Sequence, residues 1–136
     1  MQHEAPKGTR IAHVGIALNS IGSLLPFLRD VLEMPPAEID DSDGARIAAV
    51  SAGESLVELL EPESADSPIG KFLAKRGSGI HHICFAVEDI DNSLERCREA
   101  GVRLIDEVPR FGAEGKRIAF LHPSSTGGVL IELSEY

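Results

Sequence analysis

The chain contains two copies of one sequence pattern, and this repeat constrains its fold more than any other feature. The first copy, IAHVGIALNSIGSLLPFLRDVL, begins at Ile11, and the second, IHHICFAVEDIDNSLERCREAG, begins at Ile80. A second echo closes each half, as SLVELLE at 55–61 and VLIELSE at 129–135. A repeat of this kind predicts two similar modules that stack to bury a shared core.

The first half is predicted to run from a strand through a helix to a hairpin. Alternating side chains indicate a strand over 11–18, and the hairpin strands are expected over 45–51 and 55–61. The helix is expected to begin at Ser20 or Ser23. Its apolar side is predicted to consist of Leu24, Leu25, Leu28, Val31 and Leu32.

The second half repeats this order after a linking helix predicted over 66–76, which Ser67 can cap. Its predicted segments are a strand over 80–87, a helix over 91–100 that begins at Asp89 or Asp91, short strands near 102–108 and 117–122, and a final strand over 128–134. Each half thus reads as a strand, a helix and then two or three strands. Helices on one face of a mixed sheet leave the other face free to line a cleft.

Composition and charge exclude several classes of function. The formal net charge of −9 leaves no basic stripe for nucleic acid. The chain has no run of 18 apolar residues, so no membrane span is expected, and MQHEAPKGTR at the start does not resemble a signal peptide. Two cysteines, Cys84 and Cys97, do not make a disulfide framework, which favours a reduced cytoplasmic setting.

The repeat also pairs residues that can bind a metal ion. His13 aligns with His82, and Glu58 aligns with Glu132. Both glutamates lie in strongly apolar strands, where a carboxylate is costly unless it is paired or bound to a cation. Two imidazoles and two carboxylates suit Co²⁺, Mn²⁺, Ni²⁺, Zn²⁺ or Fe²⁺, and a six-coordinate ion keeps two positions for substrate. The alternative is that each is an ordinary hydrogen-bonded strand residue.

Two further groups have open roles at this stage. His81 is expected on the opposite face of its strand, in packing or in a hydrogen bond behind a ligand. The HPSSTGG turn offers three hydroxyls, from Ser124, Ser125 and Thr126. They either donate hydrogen bonds to a substrate or satisfy their own backbone in the turn.

The chain resembles the vicinal-oxygen-chelate superfamily and, within it, the methylmalonyl-CoA epimerases. The resemblance is carried by ELLEPESADSPIGKFLAKRGSGIHHICFAVEDI (58–90), by GVRLIDEVPRFGAEGKRIAFLHPSSTGGVLIEL (101–133) and, more weakly, by IAHVGIAL (11–18). It implies an α+β fold in which two tandem βαβββ modules form a concave mixed sheet around one divalent metal. We therefore expect a single domain over 1–136, with modules at about 9–62 and 79–136.

The resemblance also implies an activity and its residues. The four family ligands correspond to His13, Glu58, His82 and Glu132. The family interconverts the two configurations of methylmalonyl-CoA, by removing the α-proton through a metal-stabilised enolate, and commonly acts as a homodimer. Glu132 matches the carboxylate assigned to both ligation and proton transfer, so it is the predicted base. Lys116 is the predicted contact for the phosphates of CoA.

The chain departs from some family members at positions near the substrate. Where those members carry a second glutamate, this chain has Ile47, so Glu58, a water or a mobile single base remain as the second partner. A common lysine after His-Pro is Ser124 here, and a common histidine before Gly-Lys is Glu114. A glyoxalase I-type isomerase and a small-molecule-binding protein on the same scaffold are therefore alternative functions.

Overall fold

Eight strands form one mixed sheet in the computed structural model, which describes residues 8–136. The strands are β1 (Arg10–Ala17), β2 (Pro36–Ala37), β3 (Ala45–Ala52), β4 (Ser55–Pro62), β5 (Gly79–Val87), β6 (Arg110–Phe111), β7 (Arg117–Leu121) and β8 (Ile131–Glu135). Their order across the sheet is β2-β3-β4-β1-β5-β8-β7-β6. The halves meet where β1 pairs antiparallel with β5, and in each half the first strand pairs in parallel with the last.

This topology confirms the predicted α+β fold. The two halves of the sheet have matching strand orders, related by the exchange of β1 with β5, β4 with β8, β3 with β7 and β2 with β6. The sheet curls around a cavity of about 380 Å³ whose lining comes from both halves. The last strand of each half lies next to the central pair, which places the repeated SLVELLE and VLIELSE segments beside the repeated histidines.

Two of the predicted helices are regular because their ends carry strong signals. The linking helix α1 (Pro68–Arg76) begins where Gly70 N donates to Ser67 Oγ over 3.2 Å, and it ends at Gly77, which has a φ of +75°. Helix α2 (Ile90–Glu99) begins where Asn92 N donates to the Asp89 carboxylate over 3.1 Å. Of the two aspartates considered for this cap, the structure therefore uses Asp89.

The first helix of the chain is irregular, and part of its prediction was wrong. It is a 3₁₀ turn over Ile21–Ser23 followed by a π-helical segment over Phe27–Val31. Pro26 immediately precedes this segment, where its missing amide hydrogen is tolerated, and Leu32 N bonds Phe27 O, five residues back. The wider turn rotates the later residues outward. Val31 and Leu32, predicted to be buried, are 67 % and 52 % exposed.

The prediction of a strand near 102–108 was also wrong, because the structure has no strand within that segment. A single bridge joins Leu104 to Leu121, and the following strand β6 is only two residues long. The Asp106 carboxylate accepts from Phe120 N over 2.8 Å, so a side chain replaces a ladder bond. Pro109 cannot donate to a sheet, which prevents a longer strand here.

Apolar side chains pack on both halves of the sheet and leave the polar residues at its centre. Under α2 the buried cluster consists of Val87, Ile90, Leu94, Ala119, Leu121 and Leu133. Under the irregular helix it consists of Leu18, Leu28, Val50 and Leu59. Full burial of a leucine contributes roughly 1.5–3 kcal/mol, so these clusters hold the central strands in place. Over residues 8–136, no helix combines the length and the apolar character that crossing a membrane requires.

Candidate metal centre and active site

The four central strands each carry one of the four predicted metal ligands. They are His13 on β1, Glu58 on β4, His82 on β5 and Glu132 on β8. All four are buried, each with an exposed fraction of 5 % or less. The parallel pairing of the first and last strand in each half therefore brings together residues that are far apart in sequence.

The polar atoms of these side chains lie within hydrogen-bonding distance of one another. His13 Nε2 is 3.0 Å from His82 Nε2, and each of these two atoms is 3.0 Å from Glu132 Oε1. On the other edge of the same ring, His13 Nδ1 is 3.2 Å from Glu58 Oε2. The structure thus gathers all four predicted ligands into one cluster, with the His13 ring at its centre.

Sheet register explains why the imidazoles can approach so closely. Gly15 lies opposite His82 across the β1–β5 junction and opposite Glu58 across the β1–β4 pair. A Cβ built on Gly15 would stand 2.3 Å from His82 Cε1, so the ring occupies space that any larger residue would fill. The repeat-equivalent residue Cys84 lies opposite both His13 and Glu132. Its thiol is fully buried, and burial raises the pKa of that thiol.

Burial and contacts shift the pKa values of the cluster residues in opposite directions. Burial alone would lower the pKa of His13, but its contacts with one thiol and three carboxylates raise it to about 12. Burial also opposes the ionisation of Glu132, yet hydrogen bonds from both imidazoles lower its pKa to about 2. Burial raises the pKa of Glu58 to about 8. The contacts within the cluster thus favour the charged forms of His13 and Glu132, whereas burial favours the neutral form of Glu58.

The residues present fit a divalent cation. His13 Nδ1 and Glu58 Oε2 are both buried, and neither has a hydrogen bond of acceptable geometry to any residue within 8–136. Donor atoms of His13, Glu58 and His82 all lie within 4.8 Å of one another. Unsatisfied buried polar atoms are costly, and a cation that displaces the imidazole proton would satisfy them.

A fifth polar residue, Glu114, reaches the cluster and was missed as a site residue from sequence. Its Oε2 lies 3.0 Å from His13 Nδ1, and its side chain is 21 % exposed. The sequence did offer one signal, because Glu114 stands where relatives commonly have a histidine before Gly-Lys. That difference suggested only weaker binding of CoA. Contacts with His13 lower the pKa of Glu114, so its carboxylate is ionised.

His81 supports the cluster from behind. Its Nδ1 lies 2.9 Å from Nδ1 of His82, and its ring packs edge-on against Phe72. Burial lowers the pKa of His81 to about 4, so the ring is neutral at pH 7. A hydrogen bond on Nδ1 of His82 fixes the ring so that Nε2 faces the cluster, a common arrangement for histidine ligands. His81 also lines the cavity, although strand alternation predicted the opposite face.

The cavity above the cluster receives only some of the predicted substrate contacts. Lys116 is exposed at its edge, and Ile47 forms part of its wall. The hydroxyl-bearing turn is not part of the lining found among the described residues. There, Ser125 Oγ accepts from Arg103 N, and Thr126 Oγ1 donates to Val129 O over 2.6 Å. Roles for Ser124, Ser125 and Thr126 in substrate binding stay predictions.

Comparisons with known proteins agree with this geometry. Residues 12–120 match the family model of the glyoxalase/bleomycin resistance protein/dioxygenase superfamily. The YqjC protein of Bacillus subtilis (strain 168) is 41 % identical over 128 residues, which cover 93 % of this chain and 91 % of that protein. The ethylmalonyl-CoA/methylmalonyl-CoA epimerase of Cereibacter sphaeroides is 36 % identical over 130 residues, covering 93 % of this chain and 97 % of its own length.

Solved structures show the same fold at similar identity. A methylmalonyl-CoA epimerase in complex with methylmalonyl-CoA and NH₄⁺ superposes with a TM-score of 0.88 at 38 % identity. The alignment covers 93 % of this chain and 94 % of that one. The chain therefore belongs to the glyoxalase/bleomycin resistance protein/dioxygenase superfamily and, within it, to the family of the methylmalonyl-CoA epimerases.

Proposed function

We propose that this epimerase interconverts the two configurations of methylmalonyl-CoA and requires one divalent metal ion. The observation that carries the proposal is the buried cluster of His13, Glu58, His82 and Glu132 at the base of a cavity of about 380 Å³. Family membership supports the acyl-CoA substrate, since a structural relative is described in complex with methylmalonyl-CoA. The same cluster would hold Co²⁺, Mn²⁺, Ni²⁺, Zn²⁺ or Fe²⁺.

The substrate explains why a cation would be useful here. The α-carbon of methylmalonyl-CoA lies between a carboxylate and a thioester carbonyl, and an oxygen of each group can chelate one cation. When bound, a divalent cation would act as a Lewis acid on these oxygens and make the α-proton more acidic. Loss of the imidazole proton of His13 would free that ring to serve as a nitrogen ligand.

Glu132 is the residue that we assign to proton transfer. The two imidazoles keep it ionised, and an ionised carboxylate can accept a proton. It removes the α-proton, and the electron pair of the C–H bond passes into conjugation with the thioester carbonyl. The α-carbon becomes planar, and delivery of a proton to its opposite face completes the inversion. Ile47 forms the wall where some relatives have a second glutamate, so Glu58, a water or Glu132 itself returns the proton.

Further parts of the proposal rest on the sequence. Lys116 is exposed at the cavity edge, where its ammonium group can meet the phosphates of CoA. A single domain built from modules at about 9–62 and 79–136 agrees with one continuous sheet. A homodimer follows the family resemblance, and a cytoplasmic setting follows the two free cysteines, Cys84 and Cys97.

Deuterium exchange tests the proposed reaction directly. Protein loaded with Co²⁺ is incubated with methylmalonyl-CoA in D₂O, and NMR follows loss of the α-proton signal. We expect exchange and inversion in the presence of the metal and none after chelation. A hemithioacetal is the control substrate. Faster turnover of the hemithioacetal than of methylmalonyl-CoA would favour a glyoxalase I-type isomerase. If folded, metal-loaded protein catalyses no exchange, the small-molecule-binding alternative is favoured instead.

A further inference from the structure

Glu114 lies on a loop of the second half that reaches across to the ligands of the first half. The loop is a tight hairpin between β6 and β7, in which Gly112 N donates to Lys116 O and Gly115 N donates to Gly112 O, each over 3.0 Å. Gly115 has a φ of +73°, which favours glycine at that position. The closed turn directs the intervening glutamate into the cavity.

The contact that Glu114 makes is with unsatisfied atoms. Its carboxylate lies 3.0 Å from His13 Nδ1, and the Glu58 carboxylate lies 3.2 Å from the same nitrogen. Both His13 Nδ1 and Glu58 Oε2 lack a well-formed hydrogen bond within 8–136, although their residues are more than nine-tenths buried. His13 Nδ1 therefore has two carboxylates within 3.2 Å, and neither this nitrogen nor Glu58 Oε2 has a well-formed hydrogen bond to a described residue.

Charge also indicates a cation at this point. Glu58, Glu114 and Glu132 all contact the ring of His13, so three carboxylates surround one imidazole. Such a group is costly to bury unless positive charge compensates it. Carboxylate oxygens are suitable donors for the divalent ions that fit this site.

We propose that Glu114 is a fifth protein ligand of the metal ion, and that it leaves when the substrate binds. The assignment rests on the metal centre of the proposed function. Five protein donors leave one position on a six-coordinate ion, but chelation by carboxylate and thioester oxygens needs two. One ligand must then withdraw. The other four donors are fixed on central strands, whereas Glu114 is partly exposed on a hairpin whose first strand has two residues.

The first test measures Co²⁺ affinity by competition with a chelator, without any substrate. Glu114→Ala removes the donor at a partly exposed hairpin position, and Glu99→Ala is the matched control on the exposed side of α2. We expect Glu114→Ala to bind Co²⁺ about tenfold more weakly, with altered visible d–d bands, and Glu114→Gln to lie between it and the parent protein. Unchanged affinity and spectrum in Glu114→Ala would overturn the assignment.

The second test uses malonate as a probe of the position that Glu114 vacates. Added to Co²⁺-loaded protein, malonate should bind more tightly to Glu114→Ala than to the parent protein, because no ligand has to be displaced. Weaker malonate binding in the variant would contradict displacement. The two proposals fail separately: a parent protein that binds no Co²⁺ refutes the metal centre itself, whereas tight binding that ignores Glu114 refutes only the fifth ligand.

Discussion

The two halves of the sheet carry the same pair of ligand residues, yet they support them differently. His82 of the second half lies over Gly15 of the first half, where the absence of a side chain makes room for the ring. His13 of the first half lies over the repeat-equivalent Cys84 of the second half, a small residue whose buried thiol contacts the imidazole. A duplicated strand pair can thus hold two similar histidines by two different means, open space on one side and a polar contact on the other.

The two glutamates differ even more. Glu132 meets both imidazoles, and their hydrogen bonds keep its pKa low, at about 2. Of the two imidazoles, Glu58 contacts only that of His13, at the same ring nitrogen as Glu114. Burial raises the pKa of Glu58 to about 8. The pKa values of two glutamates that the repeat makes equivalent are therefore shifted in opposite directions, and the shift of Glu132 favours the ionised form that a base requires.

The largest effect should come from comparing these two glutamates directly. We expect Glu132→Gln to slow α-proton exchange by at least about 100-fold, since an amide cannot accept the proton. Glu58→Gln should retain most exchange, because an amide oxygen can still serve as a ligand. Deuterium incorporation is measured at saturating Co²⁺, with metal content determined for both variants. Equal loss of exchange in two metal-loaded variants would mean that the glutamates are functionally equivalent.

The supports of the histidines should differ by a smaller amount. Gly15→Ala places a Cβ 2.3 Å from His82 Cε1, so the ring must move away. Metal affinity should then fall about 10- to 100-fold, the range typical for loss of ligand orientation. Cys84→Ala leaves space for His13 and should retain its metal. Metal content after dialysis distinguishes the variants, thermal unfolding confirms that both are folded, and full retention by Gly15→Ala would refute the role of this glycine.

The smallest effect concerns the two helices that follow β1 and β5. Asp89 caps α2 through Asn92 N, whereas the Ser20 side chain makes no capping bond to any described residue. Asp89→Ala should therefore lower the free energy of unfolding by about 1 kcal/mol. Ser20→Ala should leave it nearly unchanged. Urea denaturation measures both, and a comparable loss for Ser20→Ala would show that the first helix depends on a cap after all.

Local sequence patterns predicted most of the fold. The repeat, the strand alternation and the caps at Ser67 and Asp89 depend on neighbouring residues, so they could be read directly. The failures were the outward rotation of Val31 and Leu32 and the missing strand near 102–108. The first difference follows from the π-helical turn after Pro26. The second follows from the hydrogen bond that Phe120 N donates to the Asp106 carboxylate in place of a strand ladder.

Sequence alone determined which residue types could form the centre, because the repeat pairs His13 with His82 and Glu58 with Glu132. Tertiary structure decided how these residues differ and which others join them. Strand register put Gly15 and Cys84 beneath opposite histidines, and a hairpin of the second half brought Glu114 to the first. Distances across a sheet and the charges they create depend on non-local packing, and no pattern of neighbouring residues specifies them.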